Sequence, residues 1–426
     1  MNNRSIAFHH FGCKVNFAEA SSLSRQFHER GYEIRNFHDA ADIYVISTCV
    51  VTAVAEKKCR AAIRQAHKQN PGAKIAVIGC FPELKPEELS KMEGVDLVLG
   101  HSGKFHLLDE LERVSHISTF DKNDDFVASF SFGDRTRSFL KIQDGCDYHC
   151  TYCTIPLARG RSRSDTIGNV MDHAREIVRH GIHEIVLTGV NIGDFGKKNG
   201  ESFFGLICAL EKLEGISRFR ISSVEPDLLH DDIIEFVAAS GKFLPHFHIP
   251  LQSGCNKILQ AMHRKYTTEI YKSRILRIRS LMPFACIAAD VIVGFPSEND
   301  EDFEETVWFL EHLDISYLHV FTYSRRDNTL ASKMTDWVPE KIKKQRSERL
   351  HSLSDKKKNI FYRQNLGRQV SVLYESDNSA GYMHGFSENY LKVKTPFDPT
   401  LVNKIKTVNL LKMDNDGCWI DEPTLL

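Results

Sequence analysis

Short apolar runs alternate with helical patterns in the first quarter of the chain. Four of these runs predict strands, at Ile6–Phe11, Asp42–Ser47, Lys74–Gly79 and Val95–Leu99. Continuous apolar runs of this length are typical of strands buried on both faces of a parallel sheet. Helical patterns lie between them, for example at Phe17–Arg30 and Ala53–Gln69. Residues 1–115 are therefore predicted to form a doubly wound α/β domain.

A second alternating region follows a polar segment at residues 116–134, which is predicted to be a linker. Residues 135–366 contain six further strand candidates, at Phe139–Ile142, Glu184–Leu187, Arg218–Ser222, His246–Ile249, Ala288–Val293 and Tyr317–Thr322. Helical patterns separate these strands, and one long charged helix runs from Pro339 to about Asn365. Six strands with helices between them predict a complete or partial barrel of the TIM type.

The pattern changes again in residues 367–426, where the segments become short, alternating and rich in turn residues. The strand candidates are Val370–Tyr374, Tyr390–Lys394, Lys404–Leu411 and Cys418–Ile420. This pattern predicts a small β-barrel. The predicted fold class is therefore α/β, with a doubly wound amino-terminal domain, a central barrel and a small carboxyl-terminal β-barrel.

The composition indicates in which compartment the protein works and which role its cysteines have. The chain has 426 residues, a formal net charge of −1 and eleven cysteines. The start lacks a basic region followed by an apolar run, and no apolar stretch reaches the ~18 residues that span a membrane. We therefore expect a reducing cytoplasm, where cysteines serve in metal binding or catalysis rather than in disulfides.

Three cysteines each follow a predicted strand of the first domain: Cys13, Cys49 and Cys80. In a parallel sheet the carboxyl ends of the strands lie along one edge, where open α/β sheets bind ligands. Any one of these cysteines alone would be read as a small buried apolar residue. Three in equivalent places predict a shared metal site.

A second set, Cys146, Cys150 and Cys153, lies on one short loop after the first predicted barrel strand. Barrels of this type place their chemistry at this end of the strands. A structural zinc site is the alternative, but zinc usually has four protein ligands, and the neighbouring His149 is awkwardly placed to be the fourth. An iron–sulfur cluster with one iron left open fits three thiolates better. Cys59, Cys208, Cys255, Cys286 and Cys418 match no motif and are predicted to be core or incidental residues.

These motifs resemble the methylthiotransferase branch of the radical S-adenosylmethionine (SAM) superfamily. The resemblance covers nearly the whole chain and rests on Gly12–Asn16, Thr48–Thr52, Gly79-Cys80, residues 145–160, Thr188–Asn191, Ser222–Pro226, Pro250–Gly254 and Gly294–Pro296. The Gly-Cys-Lys-Val-Asn and Thr-Cys-Val-Val-Thr strings are most similar to the subgroup that acts on N6-threonylcarbamoyladenosine in tRNA. The chain departs from the family pattern at Ser47, Glu83 and Asn328.

The resemblance implies a set of cofactors and partners. A [4Fe-4S] cluster on Cys146, Cys150 and Cys153 would bind SAM at its open iron, and a second [4Fe-4S] cluster on Cys13, Cys49 and Cys80 would carry the sulfur to be transferred. The expected product is the 2-methylthio derivative of the base beside the anticodon. The implied partners are tRNA, a reducing electron donor such as a flavodoxin, and a sulfur donor.

Other residues at predicted strand ends are expected to bind SAM. Thr188, Gly189 and Asn191 would hold its amine, although an ordinary strand-to-helix turn explains them too. Ser223 and Glu225 would meet ribose hydroxyls, with a helix-capping role as the alternative for Glu225. The remaining candidates are Tyr152 and Gln252, and capping of Ser253-Gly254 is the alternative for Gln252. Arg159 and Arg161 flank the cluster loop and would meet the carboxylate of SAM or an RNA phosphate, with a solvated loop position as the alternative.

Two segments in the last third of the chain are candidates for RNA binding, the long charged helix and the terminal β segment. The long helix carries nine Lys or Arg, at positions 341, 343, 344, 346, 349, 356, 357, 358 and 363, against three acids. That excess suits an RNA backbone, but charge runs are more often solvated helix faces. The terminal β segment resembles the RNA-binding TRAM domain, yet it has six basic and eight acidic residues. There, shape and stacking on Tyr390 or Trp419 would have to contribute.

Two alternatives stay open beside a radical SAM enzyme acting on N6-threonylcarbamoyladenosine. The first is the same chemistry on isopentenyl-adenosine in tRNA, or on an aspartate of a ribosomal protein. The second is a non-catalytic RNA-binding protein with one structural metal, which predicts zinc and no cleavage of SAM.

Overall fold

The amino-terminal part of the computed structural model is a five-stranded parallel sheet. The structure describes residues 4–50, 53–112, 125–133, 135–414 and 417–420. The strands are β1 (Ser5–His10), β2 (Glu33–Arg35), β3 (Ile43–Thr48), β4 (Lys74–Gly79) and β5 (Leu97–Leu99), in the order β2-β1-β3-β4-β5. The helices are α1 (Lys14–Glu29), α2 (Ala53–Gln69), α3 (Cys80–Leu84), α4 (Pro86–Ser90) and α5 (Leu107–Glu112), with a 3₁₀ turn at Gly103–His106.

This sheet is buried on both faces, as the continuous apolar runs predict. Consecutive residues of one strand, such as Tyr44 and Val45, belong to core clusters on opposite sides of the sheet. The edge strand β2 was not predicted, because its three residues are polar or exposed and carry no apolar run.

The middle of the chain forms a partial barrel. Its strands are β6 (Ser129–Phe130), β7 (Arg137–Lys141), β8 (Gln143–Asp144), β9 (Arg163–Ser164), β10 (Glu184–Thr188), β11 (Arg218–Ile221), β12 (His246–His248), β13 (Cys286–Val293) and β14 (Tyr317–Thr322). Parallel pairing joins β7, β10 and β11, and also β12, β13 and β14. A parallel bridge between Ser223 and His248 connects the two groups.

Helices cover the outside of this barrel. They are α6 (Ile155–Arg159), α7 (Ile167–Arg179), α8 (Phe203–Glu211), α9 (Asp231–Ala239), α10 (Asn256–Ala261), α11 (Thr268–Leu281), α12 (Asp300–Glu311) and α13 (Glu340–Asn365), with 3₁₀ turns at Ile192–Asp194 and Ala331–Lys333. None of the described helices is long and apolar enough to cross a membrane.

The predicted linker at 116–134 is only partly described, since residues 116–124 and 134 lie outside the described ranges. The rest is not purely connecting chain, because β6 pairs antiparallel with β7 at the edge of the barrel. Val51 and Thr52 of the Thr48–Thr52 motif also lie outside the described residues. At Asn328, where the family favours glycine, φ is +64°, a left-handed conformation that Asn tolerates.

The carboxyl-terminal strands close into a barrel in the order β15-β16-β17-β19-β18. They are β15 (Gln369–Tyr374), β16 (Tyr382–Ser387), β17 (Lys392–Pro396), β18 (Ile405–Met413) and β19 (Cys418–Ile420), with a 3₁₀ turn at Pro399–Leu401. Strand β16 was not predicted, because His384 and Gly385 interrupt its apolar alternation. A Cβ at Gly385 would lie 2.5 Å from the side chain of Val372, so the close pairing of β15 and β16 requires this glycine.

Two contacts place the flanking units on the central barrel. Helix α1 packs its Phe17 edge-on against Phe139 of β7, on the inner side of the barrel. At the other end, Arg218 at the start of β11 donates to the backbone oxygen of Ser371 at 2.6 Å. The small β-barrel thus closes the amino-terminal end of the central strands. The predicted α/β fold class is confirmed.

Candidate functional site

The cysteines of the first set lie at one edge of the amino-terminal sheet. Cys13 precedes α1, Cys49 directly follows β3, and Cys80 is the first residue of α3 after β4. Strands β1, β3 and β4 are adjacent and parallel, so their carboxyl ends meet. Cys13 is exposed, while Cys49 and Cys80 are buried. The structure therefore brings the three predicted cysteines together at the edge where ligands bind in open sheets.

Gly12 makes this approach possible. Its φ is +107°, and a Cβ there would lie 2.7 Å from the Cβ of Cys49, which leaves room for hydrogen only. The side-chain amide of Asn16 then ties the two loops together, donating to the backbone oxygens of Phe11 at 3.0 Å and Thr48 at 2.9 Å.

The second set lies on the loop between β8 and α6. Cys146, Cys150 and Cys153 are all partly exposed. The backbone N–H of Tyr148 donates to Sγ of Cys146 at 3.4 Å, and the N–H of Cys153 donates to the backbone oxygen of Cys150 at 3.1 Å. Burial raises the pKa of both Cys146 and Cys153 to about 12. A metal that binds these sulfurs must therefore displace their protons.

Arg264 connects this loop to the end of β11. Its guanidinium donates to Sγ of Cys150 at 3.1 Å, to the hydroxyl of Tyr266 at 3.1 Å and to the carboxylate of Glu225. Burial raises the pKa of Glu225 to about 7, although Arg264 acts in the opposite direction. No motif in the sequence pointed to Arg264, since it contacts the loop only through folding.

A cavity of about 210 Å³ opens beside the second set. Tyr152, Cys153, Gln252 and Asp290 contribute to its wall, so two of the predicted SAM-binding residues face it. Gln252 has φ +68°, and its backbone is held between the carbonyl of Asp290 and the N–H of Ile292 at 2.8 and 2.9 Å. The strand end is thereby fixed in a conformation that turns this residue toward the cavity.

The segment Thr188–Asn191 is held by one glutamine. The Oε1 atom of Gln143 accepts from the backbone N–H groups of Val190 at 2.9 Å and Asn191 at 2.7 Å. A Cβ on Gly189 would lie 2.9 Å from both Oε1 and the backbone oxygen of Gln143. The amide nitrogen of Asn191 donates to Asp194, and its buried Oδ1 has no hydrogen-bond partner among the described residues. That oxygen is available to a bound donor such as an amine.

Arg159 lies away from the position expected of a SAM or RNA ligand. It is buried and donates to Asp144 at 2.8 Å, to Glu19 at 3.2 Å and to Asn16. Its donors are therefore occupied by protein groups, which also excludes a solvated loop position. Arg161 is exposed, as is His149.

Arg159 belongs to a set of buried charges that we call the bridging ion cluster: Glu19, His101, Lys104, Lys141, Asp144, Arg159 and Arg163. Residues of the amino-terminal sheet and of the barrel contribute to it, as in the contact of Lys141 with Glu19 at 2.9 Å. Four cations face two carboxylates, and their excess positive charge lies near the first cysteine set. Burial raises the pKa of Cys80, while Arg159 and Lys104 act to lower it. The pKa remains raised overall, so the two cations only partly offset the effect of burial, and a metal that binds Cys80 must displace its proton.

A second cavity of about 210 Å³ adjoins Cys13, between α1, the inner side of the barrel and the small β-barrel. Four of its lining residues are cations: Lys14, Arg135, Arg137 and Arg220. Tyr390 of the small β-barrel also lines it and lies beneath the guanidinium of Arg220, 4.8 Å from its ring centre. We call this the cationic cavity.

Most of the positive charge on α13 is engaged within the protein. Arg346 donates to Asp300 at 2.7 Å, Arg349 to Glu304 at 2.8 Å, and Lys357 to the backbone oxygen of Leu313 at 2.8 Å. This pairing explains much of the charge run without RNA. On the small β-barrel, Trp419 is only partly buried and has the ammonium group of Lys394 4.9 Å from its ring centre.

Comparison with protein families divides the chain as its geometry does. Residues 5–100 match a profile described as uncharacterized protein family UPF0004, and residues 140–310 match the radical SAM superfamily. The fold resembles that of the radical SAM methyltransferase TsrM from Kitasatospora setae, with a TM-score of 0.54 over 77% of each chain at 12% identity.

Relatives similar over their whole length carry more specific names. A threonylcarbamoyladenosine tRNA methylthiotransferase from Bacillus subtilis is 38% identical, covering 98% of this chain and 96% of the relative. One from Thermotoga maritima is 36% identical, covering 97% and 96%. A tRNA-2-methylthio-N(6)-dimethylallyladenosine synthase from Alkaliphilus oremlandii is 31% identical, covering 96% and 91%.

Proposed function

Because the chain belongs to the tRNA methylthiotransferase family of radical SAM enzymes, we propose that its substrate is N6-threonylcarbamoyladenosine beside the anticodon. The product is the 2-methylthio derivative of that base. The relatives named for this substrate are 33–38% identical to the chain, compared with 31% for those named for the dimethylallyl base. The same chemistry on isopentenyl-adenosine is the nearest alternative.

One observation carries the proposal: two sets of three cysteines adjoin two neighbouring cavities. Lys14 lines the cationic cavity beside Cys13, and Asp290 lines the cavity beside Cys153. Burial lowers the pKa of Lys14 to about 8, and the charge of Asp290 partly offsets that shift, so the two cavities are close enough for their charges to interact. A base bound between these cavities is within reach of both sets. A protein with one structural metal has no need of two such sites, so the arrangement favours turnover over a purely structural role.

Membership of the superfamily implies one [4Fe-4S] cluster and SAM as cofactors. We propose that Cys146, Cys150 and Cys153 hold this cluster, and that Cys13, Cys49 and Cys80 hold a second [4Fe-4S] cluster. Three thiols in each place leave one iron open, and the positive charge of Arg159 near Cys80 suits thiolate ligands. With SAM at its open iron, such a cluster would supply the electron that cleaves SAM into methionine and a carbon radical, and a carbon radical can take the non-acidic C2 hydrogen of adenine.

The protein's own residues would bind SAM and orient it. We propose that Asn191 accepts from the SAM amine, since its buried Oδ1 has no other hydrogen-bond donor in the described part of the chain. Gln252 and Tyr152 line the cavity in which the rest of SAM lies. Glu225, held by Arg264, faces the ribose hydroxyls together with Ser223. Thr188 and Gly189 hold the backbone of the segment that carries Asn191. Arg161 is exposed, and we propose that it contacts an RNA phosphate.

The remaining partners follow from the chemistry. Each turnover consumes electrons and a sulfur atom, so we propose a reducing donor such as a flavodoxin and a separate sulfur donor. The compartment we propose is the cytoplasm, where tRNA is present and thiols stay reduced. We also propose four segments: residues 1–115 for the second cluster, 116–134 as a connection, 135–366 for SAM, and 367–426 as a TRAM-like RNA-binding unit.

The test is a reaction of anaerobically reconstituted enzyme with SAM, sulfide and a strong reductant. Three otherwise identical tRNAs carry N6-threonylcarbamoyladenosine, isopentenyl-adenosine or plain adenosine, and mass spectrometry of the nucleosides follows the gain of a methylthio group. Product on the threonylcarbamoyl tRNA alone is the expected result. Product on the isopentenyl tRNA alone would replace the substrate assignment, and bound zinc without SAM cleavage would overturn the enzymatic reading.

A further inference from the structure

The cationic cavity adjoins Cys13, and none of its other lining residues is assigned above to SAM or to a cluster. We propose that it binds the carboxylate of the N6 substituent of the substrate base and thereby selects threonylcarbamoyladenosine over bases with apolar substituents. The inference rests on the proposed function and assigns its specificity to named residues, chiefly Lys14.

The charge of the cavity wall is of one sign. Lys14, Arg135, Arg137 and Arg220 line it, and none of its lining residues is an aspartate or glutamate. Concentrated positive charge against a low-dielectric wall attracts an anion and repels a cation. Apolar atoms are present too, from Phe17, Phe139 and Val186, so the space can hold an anionic group on a short carbon frame.

Two of the four cations are fixed in place by the protein. Arg137 pairs with Glu375 at 2.8 Å, and Arg220 pairs with Glu184 at 2.9 Å. Both guanidinium groups also lie over the ring of Tyr390, at 5.9 and 4.8 Å from its centre. These two arginines form a preorganised part of the cavity wall, and their charge is partly balanced by Glu375 and Glu184. The unbalanced charge is therefore that of Lys14 and Arg135.

Lys14 is the residue best placed to pair with a ligand. Its ammonium group makes no hydrogen bond or ion pair with any residue that the structure describes, although its side chain is partly buried. It directly follows Cys13 and lies in the first turn of α1. Arg135 has its guanidinium 4.9 Å from the ring centre of Phe17, at the exposed mouth of the cavity. A carboxylate that entered past Arg135 would meet Lys14 beside the first cysteine set.

The geometry of adenine connects this cavity to the reaction. C2 and C6 are the two ring carbons that flank N1, so a substituent on N6 begins next to the edge that carries the reacting carbon. When C2 faces the cysteine set of Cys13, the N6 substituent therefore lies along the same edge of the adenine ring. The threonylcarbamoyl group ends in a carboxylate, which Lys14 can bind, whereas an isopentenyl group would leave the lysine charge unpaired and desolvated.

The experiment compares two synthetic anticodon stem-loops that differ in one group. One carries N6-threonylcarbamoyladenosine and the other carries its methyl ester, which has the same shape without the charge. Binding to anaerobically reconstituted enzyme and the rate of methylthiolation are measured for both. We expect the wild type to bind the acid about 10- to 100-fold more tightly than the ester, the range for one buried charge-assisted contact.

The Lys14→Met variant should bind the acid as weakly as the wild type binds the ester, with its ester binding unchanged. Lys14→Arg, which keeps the charge, should restore most of the preference, and Arg135→Met should lose part of it. Lys272→Met on an exposed face of α11 is the matched control and should behave as the wild type. Iron content and thermal midpoint, measured for each variant, exclude a loss that comes from misfolding.

The other outcomes each have one meaning. Equal weakening of acid and ester in Lys14→Met would show that Lys14 binds an RNA phosphate or supports the fold, and would overturn the inference. The same holds if the wild type does not distinguish acid from ester while it modifies both. If the wild type modifies neither stem-loop but modifies one with isopentenyl-adenosine, the proposed substrate itself is wrong.

Discussion

The guanidinium of Arg264 lies 3.1 Å from Sγ of Cys150 and also pairs with Glu225, which follows strand β11. A single side chain thus joins a proposed iron ligand to a proposed ribose ligand of SAM. Hydrogen bonds to cluster sulfurs raise the reduction potential of an iron–sulfur cluster, since they stabilise the more negative reduced form. We therefore expect Arg264 to act as a positioning residue that also tunes the reduction potential of the proposed cluster.

We predict that Arg264→Met lowers the reduction potential of the cluster on Cys146, Cys150 and Cys153 by tens of millivolts, because one hydrogen bond to sulfur is lost. Electron paramagnetic resonance during a redox titration measures this shift. Arg264→Lys keeps one donor and should fall between the two. An unchanged potential in Arg264→Met, with full iron content, would show that the arginine has only a packing role.

The two cysteine sets should load iron independently. Reconstituted wild-type protein is expected to hold about eight irons per chain, and the triple variant Cys146→Ala/Cys150→Ala/Cys153→Ala about four. Iron and sulfide analysis measures both. A wild type with about four irons that falls to none in the variant would remove the second cluster, and with it the route for sulfur transfer.

Arg159 should be important for stability rather than for SAM binding. Replacing it by Met leaves Glu19 and Asp144 with less positive charge in a buried site, and breaking a buried ion pair typically costs about 3–5 kcal/mol. Thermal and urea denaturation of the cluster-free protein compare it with Arg161→Met. That substitution is on an exposed side chain and should change stability by about 0.5 kcal/mol or less.

A methyl group at Gly189 should weaken SAM binding. In Gly189→Ala the new Cβ would lie 2.9 Å from Gln143, which holds the loop that carries Asn191, so the loop must move. We expect the dissociation constant for SAM, measured by equilibrium dialysis, to rise about tenfold, which corresponds to one misplaced hydrogen bond. At Gly241 a Cβ would meet nothing within 4 Å, so Gly241→Ala is the control and should bind SAM normally.

His101 should make the folded state less stable in mild acid. Its Nδ1 accepts from Lys104 at 3.1 Å and its Nε2 lies 3.1 Å from Asp144, an arrangement that requires the neutral ring. Burial and Lys104 lower its pKa to about 4. Below about pH 6.5 the unfolded chain binds a proton here and the folded chain does not, so stability falls as the pH drops from 6.5 toward 4.

The expected loss between about pH 7.5 and about pH 5.5 is on the order of 1 kcal/mol from this group. His101→Gln, which keeps one acceptor and one donor, should show a correspondingly smaller fall in thermal midpoint over the same range. Equal pH dependence in both proteins would mean that the pKa of His101 is the same in the folded and unfolded states, which would contradict the prediction.

Sequence patterns predicted the parts of the fold whose signal lies within a few residues or repeats along the chain. Continuous apolar runs predicted all six parallel barrel strands and four of the five strands of the first sheet. The cysteines were found because parallel strands place their carboxyl ends together, which brings Cys13 and Cys80 to one edge although 66 positions separate them in the chain.

Contacts made only by folding could not be predicted. Arg264 sits in an ordinary polar stretch, and nothing in that stretch predicts its contact with Cys150. Arg159 resembles a loop arginine until α1 supplies Glu19 beneath it. Likewise, Tyr390 was expected to stack on RNA, whereas the docking of the small β-barrel places it against Arg220 in the cationic cavity.

The bridging ion cluster limits how the enzyme admits its substrate. Swinging the amino-terminal sheet away from the barrel would break the contacts of Glu19 with Lys141 and Arg159. Asp144 would then be the one carboxylate of the cluster left to balance the buried cations on the barrel side. Such a hinge motion is too costly to accompany every turnover. We therefore expect the space between the two cysteine sets to keep a constant width during turnover, so that a substrate nucleotide has to rotate out of its loop and enter edge first.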